Sequence, residues 1–430
     1  MRILHVLSVV RAEVGGPARA VTDLCAAFAR RGHEVTLVTW DDTDVPAAWK
    51  KPAQGTSALR AASSGADSPG FTSSSNAHSS YARESAQRAD VPRVITVPAP
   101  SLPGGLFTGS ALAPLRDVIA QHDVLHLHGA WGPWNVQLGG AAKKVRVPYF
   151  VSIRGMLDDW CMTQKSLKKT LFLRLGGTRY YEQAASVHLT AQFEYEQAKK
   201  YFPRGRGTVI PNLLDMEPFK SLPGPEAARA KFAQLGAANP DHEPVLLFLS
   251  RIHVKKGIEH LLRAVRLLND SGTPCRAIIA GSGDEPYVAS LKALCTELRL
   301  DDRVSFVGLV TGDLKLSLYQ ACDLFVLPTS QENFGFVFPE ALACETPVVT
   351  TKGVDIWPEL ESSGAARIVD NTAQATAEGV RAMLNAPGGR AGLKTVGAKG
   401  RAWVFDWLAP EKVMAQFERM YEAGRGRVRG

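Results

Sequence analysis

Short apolar runs alternate with amphipathic stretches along most of this 430-residue chain. The run at 3–9 is followed by a helical pattern over about 17–31 and then by a second apolar run at 35–40. Runs that are apolar throughout, separated by amphipathic helices, are typical of parallel strands covered on both faces. The pattern therefore predicts a Rossmann-like α/β beginning.

The same alternation returns after a gap and continues through the second half. Further strands are predicted at 94–97, 124–127, 149–153, 187–190, 245–249, 277–280, 304–307, 324–327, 348–350 and 367–369. Helices are predicted between them, including a long basic helix at 166–183 and one over 258–268, whose leucine, isoleucine and valine residues follow helical spacing. The chain is thus expected to contain two α/β domains with doubly wound parallel sheets.

Breaks in the pattern suggest where the domains begin and end. The Pro- and Gly-rich stretch around 212–223 predicts a hinge between an N-terminal domain at 1–212 and a C-terminal domain at 213–402. An aromatic-rich C-terminal helix at 403–430 is expected to cross back to the N-terminal domain. The segment 52–87 is small, polar and aperiodic, which predicts a mobile Ser-rich insertion. Facing domains of this kind would bind a ligand in the cleft between their strand ends.

Composition narrows the class only slightly. The 50 basic and 42 acidic residues give a net charge of +8, which suits anionic small molecules or an anionic membrane surface as well as nucleic acid. The six cysteines are scattered without a C-x-x-C pair, so reduced thiols in a cytoplasmic protein are expected. The apolar N-terminal run is too short for a signal peptide, and no run reaches the length of a membrane span.

The stretch from Gln331 to Ala343 is the strongest candidate for binding chemistry. Glu332 lies in a predicted loop and Glu340 in the following helix, with seven residues between them. Gly335 sits near the helix start, where backbone amides can meet an anion. The arrangement suits a ligand that is both sugar and phosphate. Alternatively, Glu332 is a solvated loop charge and Glu340 a first-turn residue favoured by the helix dipole.

Arg251 and Lys256 form a second candidate group, between a buried strand and a helix start. Two cations at the carboxyl end of a strand would neutralise a diphosphate and stabilise it as a leaving group. In the alternative interpretation, Lys255 and Lys256 are solvated lysines of the first helical turn. The helix dipole disfavours cations there, so their position favours an anionic ligand.

Glycines follow two of the predicted strands. Gly15 and Gly16 precede Pro17 at the start of the first helix, which allows close approach to a ligand but also fits a plain turn. Gly281 belongs to a G-x-G, and Pro286 occupies the position of the third glycine of a dinucleotide fingerprint. The second motif is weak.

Two polar patterns raise the question of a metal. His126 and His128 point to one side of a strand end, but no third ligand stands at metal spacing, so His128 is interpreted as a hydrogen-bonding group for substrate. Asp42 and Asp44 form a D-x-D that borders the predicted insertion and is interpreted as loop charge. No metal site is predicted.

The basic segment 165–181 places Leu167, Leu171 and Leu175 on one helical stripe. Together with Arg154 it could bring the N-terminal domain to an anionic leaflet or a lipid-linked acceptor. A helix with a buried stripe and a solvated basic face fits equally well.

Taken in order, these motifs resemble the retaining GT-B glycosyltransferases of family 4, also called glycosyl transferases group 1. The resemblance rests on Gly15-Gly16, His128 in HLHG, Asn212 in VIPN, the Arg251/Lys256 pair and the two glutamates. It covers nearly the whole chain apart from the Ser-rich insertion. The run SIRGMLDDW followed by the basic helix is similar to the bacterial branch that builds surface polysaccharides such as exopolysaccharide, capsule or lipopolysaccharide.

The resemblance implies a role for each matched residue. Donor binding would involve Gly15, Gly16, Asn212, Gly281, Leu309, Val310, Asn333, Phe334, Gly335, Phe336 and Glu340, with the backbone at 309 and 310 at the base and Glu340 on the ribose hydroxyls. Arg251 and Lys256 would bind the diphosphate, Glu332 the donor-sugar hydroxyls, and His128 would lie near the reacting carbon. Arg154 is the predicted acceptor contact.

The implied activity is a metal-independent transfer of a hexose from a UDP- or GDP-sugar to a glycan or lipid-linked hydroxyl, with retention. The expected partners are the nucleotide sugar, the acceptor and the inner membrane, with no nucleic acid. A nucleotide-sugar epimerase and a catalytically silent nucleotide-sugar-binding protein remain alternatives. A hydrolase is less favoured, because nothing places the two glutamates on either side of one bond.

Overall fold

The computed structural model describes residues 1–11, 15–50, 91–235 and 243–429. The predicted insertion at 52–87 lies outside these described residues. The chain divides into two compact units, the first comprising 1–189, 195–213 and 413–430, and the second comprising 190–194 and 214–412.

The first unit contains a parallel sheet of seven strands in the order β3-β2-β1-β4-β5-β6-β7. Its strands are β1 (Arg2–Val6), β2 (Glu34–Thr39), β3 (Arg93–Thr96), β4 (Val124–His128), β5 (Tyr149–Ser152), β6 (Ser186–Leu189) and β7 (Gly207–Val209). Ile3 and Leu4 pack into different hydrophobic clusters, because successive side chains of a strand point to opposite faces. The sheet is therefore covered on both sides, as the continuous apolar strands predict.

The helices of the first unit surround this sheet. They are α1 (Gly16–Arg30), α2 (Gly109–Ala120), α3 (Pro133–Lys144), α4 (Asp159–Thr163), α5 (Ser166–Phe172) and α6 (Thr178–Gln183), with α16 (Pro410–Arg429) joining from residue 413 onward. In α1, Val21, Leu24 and Phe28 are buried at helical spacing. Val413, Phe417 and their neighbours on α16 complete the same cluster.

The second unit contains a parallel sheet of six strands in the order β10-β9-β8-β11-β12-β13. Its strands are β8 (Val245–Leu249), β9 (Arg276–Ala280), β10 (Val304–Gly308), β11 (Leu324–Leu327), β12 (Val348–Thr351) and β13 (Ala366–Val369). Its helices are α7 (Gln192–Ala198, which the second unit shares up to residue 194), α8 (Glu226–Lys231), α9 (Ile258–Asp270), α10 (Glu285–Glu297), α11 (Gly312–Ala321), α12 (Val337–Ala343), α13 (Trp357–Ser362), α14 (Ala373–Leu384) and α15 (Gly389–Trp407).

Each sheet reverses its winding at one point. In the first sheet the reversal lies between β1 and β4, and in the second between β8 and β11. Open parallel sheets bind ligands beyond the carboxyl ends of the strands at this reversal. His128 is the last residue of β4, and the segments that follow β1, β8 and β11 contain Gly15, Lys256 and Glu332.

The prediction of one long basic helix at 166–183 is wrong. The segment is α5, a π-helical turn at Leu173–Gly177 and α6, and Gly176 within the turn has a φ of 136°. A backbone in that region breaks the helical hydrogen-bond pattern, and glycine adopts it without the Cβ clash of other residues.

The C-terminal segment is likewise two helices instead of one. α15 ends at Trp407 and α16 begins at Pro410. Proline has no N–H to continue a helix and disfavours helical dihedrals at the residue before it, so the break falls at Leu408 and Ala409.

The segment 190–194 also differs from the predicted domain division, since it belongs to the second unit. The Thr190 hydroxyl donates to Asn333 Oδ1 over 3.1 Å, and the Phe193 ring meets the Trp357 ring edge to face. These contacts come from side chains far apart in sequence, which the pattern of strands does not reveal.

Candidate functional site

Two loops at the winding reversal of the second sheet are joined by hydrogen bonds. The Lys255 carbonyl, in the loop after β8, accepts from Ser330 N at 2.7 Å and Thr329 Oγ1 at 3.0 Å, in the loop after β11. A Cβ at Gly257, which has a φ of 65°, would clash with the Pro328 carbonyl. Glycine is required there because the two loops approach so closely.

These joined loops bring Lys256 and Glu332 into a direct ion pair. Lys256 is only 6% exposed and ends the short 3-10 turn Val254–Lys256, with Gly257 between it and the start of α9. The alternatives of a solvated first-turn lysine and a solvated loop glutamate are therefore both wrong. A buried ammonium beside a carboxylate can hold an anion and a hydroxyl of the same ligand.

The loop after β8 concentrates further positive charge. Arg251 is exposed at its start, and Lys255 Nζ donates to Gln331 Oε1 over 3.0 Å. The pKa of His253 is lowered, first by burial and then by the charges of Lys255, Arg251 and Lys256. The group is suited to bind a polyanion such as a diphosphate.

The loop from Glu332 to Phe336 is held from two sides. Asn333 Nδ2 donates to Asp355 Oδ2 over 2.9 Å, and Asn333 Oδ1 accepts from Thr190 Oγ1. Gly335 has a φ of 59°, and a Cβ there would lie 2.9 Å from Glu332 Cγ. Glycine at position 335 therefore leaves room for the Glu332 side chain beside it.

The two aromatic residues of this loop pack on each other. The ring centroids of Phe334 and Phe336 are 5.3 Å apart, and Phe334 also stacks on Trp407. Phe334 is buried and Phe336 is partly buried. What they can offer a ligand is therefore mainly backbone, at the residues before α12.

Glu340 lies within α12 and is buried. Its Oε2 is 3.0 Å from Nζ of Lys315 on α11, and its side chain is only 2% exposed. Glu340 does lie in the first turn of α12, as the helix-dipole alternative expects, but it is also buried and paired with a lysine. Lys315 was not among the predicted site residues.

The remaining predicted residues of the second unit follow β9 and β10. A Cβ at Gly281, whose φ is 149°, would clash with the Ser250 carbonyl, so this glycine serves loop packing. Leu309 is 72% exposed and Val310 is buried. Gly308, just before them, has a φ of 71°, and a Cβ built there would meet no atom within 4 Å.

In the first unit, the structure brings His128, Arg154 and Asn212 together. Arg154 donates through Nη1 to Asn212 Oδ1 over 2.8 Å and through Nη2 to His128 Nδ1 over 3.5 Å. Arg154 has a φ of 51°, a conformation that non-glycine residues rarely adopt and that is common at functional sites.

The His128 ring is buried, and its Nε2 lies 3.0 Å from His5 Nδ1. Burial, followed by the charges of neighbours that include His126 and Arg154, lowers the pKa of His128 well below its usual value. The ring is therefore neutral near neutral pH. Both of its nitrogens contact protein groups.

His5, His126 and His128 have nitrogen atoms within 4.8 Å of one another. Both nitrogens of His126 are hydrogen-bonded, to Tyr421 and to Ser152. His5 and His128 bond to each other, and the Arg154 guanidinium faces His128. We interpret the group as a hydrogen-bond network, because a cation would have to displace these bonds beside a positive charge.

The other predicted residues of the first unit lie in segments that follow β1 and β2. Gly15, directly after the undescribed residues 12–14, has a φ of 81° and precedes α1, whose first residue is Gly16. Asp42 accepts from Thr96 over 3.1 Å and lies 3.9 Å from Lys50, as a loop charge would.

Two family profiles match this chain. The profile described as "Glycosyl transferases group 1" matches residues 233–400, and "Glycosyl transferase 4-like domain" matches 15–213. A solved Anabaena structure, HepE in complex with UDP, superposes with a TM-score of 0.68 at 18% identity and covers 97% of this chain and 99% of that one.

The chain belongs to the group 1 glycosyltransferases of GT-B fold.

Curated relatives of this glycosyltransferase match over part of their length. An uncharacterised glycosyltransferase of Methanocaldococcus jannaschii is 30% identical over 54% of this chain and 58% of the relative. A GDP-mannose-dependent alpha-(1-6)-phosphatidylinositol monomannoside mannosyltransferase of Mycobacterium tuberculosis is 25% identical over 72% of this chain and 80% of the relative. The chain spans about half the length of the first curated relatives it matches.

Sequence reasoning missed four residues that this glycosyltransferase places around the predicted ones. They are His5 beside His128, Lys315 beside Glu340, and Thr190 and Asp355 beside Asn333. His5 lies on β1 at the winding reversal, and only the order of the strands in the sheet places it beside His128. The other three follow no motif.

Proposed function

We propose that this chain is a retaining glycosyltransferase of family 4 that transfers a hexose from a UDP- or GDP-sugar to a hydroxyl of a glycan or lipid-linked acceptor. The observation that supports this best is the pairing of Lys256 with Glu332 at the winding reversal of the second sheet. The Lys256 ammonium can bind a diphosphate, and the adjacent Glu332 carboxylate can accept hydrogen bonds from hydroxyls of the sugar in the same ligand.

The proposed chemistry needs most stabilisation at the leaving group. As the glycosidic bond breaks, negative charge grows on the departing diphosphate, so Lys256 and Arg251 stabilise the transition state more than the ground state. Glu332 and the backbone from Asn333 to Phe336 orient the sugar. We assign no general base, and the departing phosphate would accept the acceptor's proton on the same face. No step uses a metal.

The other predicted contacts belong to the same proposal. Glu340 would bind the ribose hydroxyls, and the backbone of Leu309 and Val310 would meet the base. In the first unit, Gly15 and Gly16 would leave room for the phosphate. His128 would act there as a neutral hydrogen-bonding group, and Arg154, bonded to Asn212, would contact the acceptor.

We propose further that the segment 165–181 binds an anionic membrane leaflet. Leu167, Leu171 and Leu175 are 81%, 54% and 78% exposed, which excludes the alternative of a buried stripe. Lys165, Lys168, Arg174 and Arg179 are exposed in the same segment. Exposed leucines bordered by basic residues suit the interface of an anionic bilayer.

We propose a peripheral position on the cytoplasmic face of the bacterial inner membrane, for which this surface is suited, and a role in surface-polysaccharide synthesis. Across the described ranges, no helix is both long and apolar enough to cross a bilayer. The mycobacterial relative is named for a phosphatidylinositol monomannoside substrate, which makes a lipid-linked acceptor a reasonable choice to test.

The reaction class is tested by incubating the protein with each UDP- and GDP-sugar, with and without vesicles of bacterial lipid extract. We expect labelled sugar in the lipid phase and release of the nucleoside diphosphate, both dependent on the vesicles. Conversion of the donor to a stereoisomer without any acceptor would indicate an epimerase instead. Binding without turnover under every condition would indicate a silent binding protein.

A further inference from the structure

We infer that Lys315 is a positioning residue that holds Glu340 in the orientation needed to bind the two vicinal ribose hydroxyls of the donor nucleotide. The inference rests on the proposed function, in which Glu340 meets the ribose. It adds a specificity determinant that no motif of the sequence indicated.

The contact between α11 and α12 is built from two side chains one helical turn apart. Lys315 Nζ lies 3.0 Å from Glu340 Oε2, and the Tyr319 hydroxyl donates to the Val337 carbonyl over 3.2 Å. Residues four apart on a helix lie on one face, so α11 presents this face to the first turn of α12. The ion pair is therefore part of a fixed helix contact.

Glu340 is much more deeply buried than Lys315. The Glu340 side chain is 2% exposed and that of Lys315 is 21% exposed. A carboxylate at such burial is costly without a charged partner, so removing the lysine would leave Glu340 free to reorient or change its partners.

A vicinal diol can donate two hydrogen bonds to one carboxylate only when the carboxylate is oriented with its oxygens toward both hydroxyls. A carboxylate offers about four lone-pair sites on its two oxygens, so Glu340 can accept from Lys315 and from the 2′- and 3′-hydroxyls together. If Lys315 instead blocked the Glu340 carboxylate, removal of the lysine would strengthen nucleotide binding.

The test compares binding of a ribonucleotide with binding of its 2′-deoxy form by titration calorimetry. The probes are UDP and GDP, whichever the wild type binds more tightly, and the corresponding 2′-deoxynucleoside diphosphate. We expect the wild type to prefer the ribonucleotide by about tenfold or more, since a hydroxyl bonded to a carboxylate is lost in the deoxy form. In Lys315→Met this preference should fall to about threefold or less, with deoxynucleotide binding nearly unchanged.

Three variants separate positioning from folding. Lys315→Arg keeps the charge and should retain the preference for the ribonucleotide. Lys292→Met changes an exposed lysine of α10 and should match the wild type. In a Glu340→Gln background, Lys315→Met leaves no unpaired buried charge and should cause no further loss of preference, because the two residues act together.

An unchanged preference in Lys315→Met would overturn the inference, as would tighter ribonucleotide binding or an equal loss with and without Glu340. These results are distinct from a failure of the proposed function, in which the wild type would bind neither nucleoside diphosphate.

Discussion

At the scale of single residues, the first unit contains a hydrogen-bond chain whose direction can be assigned. The Ile210 carbonyl only accepts, so His188 Nε2, 2.9 Å away, must donate. His188 Nδ1 therefore accepts from the Ser152 hydroxyl, and the Ser152 oxygen accepts from His126 Nε2. The Tyr421 hydroxyl then donates to His126 Nδ1. His188 and His126 are neutral in this arrangement, since each uses one ring nitrogen as donor and the other as acceptor.

This series of hydrogen bonds predicts that the protein loses stability in mild acid. Burial, together with the charge of Arg154, lowers the pKa of His188 from 6.5 to about 3. Between these values the unfolded state binds one more proton than the native state, so the free energy of unfolding falls as pH drops below 6.5. Each buried histidine of this kind should lower the free energy of unfolding by about 2 kcal/mol when the pH falls from about 7.5 to about 5. Urea titrations at the two pH values measure the loss, which should be smaller in His188→Gln.

Ser152→Ala is the matched control. It removes the hydrogen bonds to His188 and His126 but no titrating group, so it should lower stability by about 2 kcal/mol at both pH values alike. An equal pH dependence in the wild type and in His188→Gln would contradict the assigned protonation states.

The predicted and the missed site residues differ in what specifies them. Lys256 and Glu332 lie in the segments that follow the apolar strands β8 and β11, so the strand pattern and charge were enough to select them. Lys315 is selected only by the packing of α11 against α12, and His5 only by the adjacency of β1 and β4. Contacts between elements that are distant in sequence leave no periodic signal.

At the scale of elements, the segment 166–183 shows where periodicity misleads. Leu167, Leu171 and Leu175 have helical spacing, which predicts a continuous helix but does not say whether their stripe is covered. The structure keeps the stripe across α5 and the π-helical turn, leaves it exposed, and breaks the helix at Gly176. A local backbone preference at one glycine overrides the pattern.

This exposed stripe predicts binding to anionic vesicles. The wild type should sediment with phosphatidylglycerol vesicles and much less with phosphatidylcholine vesicles, and added salt should weaken the binding. Replacing Leu167, Leu171 and Leu175 by serine should reduce partitioning by at least about tenfold, since each leucine loses its apolar insertion.

Leu267→Ser is the control for that experiment, because Leu267 is a partly exposed leucine on α9 of the second unit. It should bind vesicles as the wild type does. Undiminished binding of the triple variant would show that the stripe does not contact lipid.

At the scale of the whole molecule, both sheets were predictable because parallel strands buried on both faces produce continuous apolar runs. The strand orders and their two reversals then explain why candidate residues cluster after β1, β4, β8 and β11. The assignment of 190–194 to the second unit was not predictable. It depends on single contacts such as Thr190 with Asn333.

The most direct test of the account is the binding of nucleotide sugars to the wild type and to Lys256→Met, measured by titration calorimetry. At least one UDP- or GDP-sugar should bind the wild type, and the variant should bind it at least about tenfold more weakly, because a charge-assisted bond to the diphosphate is lost. Circular dichroism of both proteins checks that the variant is folded. Equal affinity in a folded Lys256→Met, or no binding of any UDP- or GDP-sugar to the wild type, would contradict the donor site proposed here.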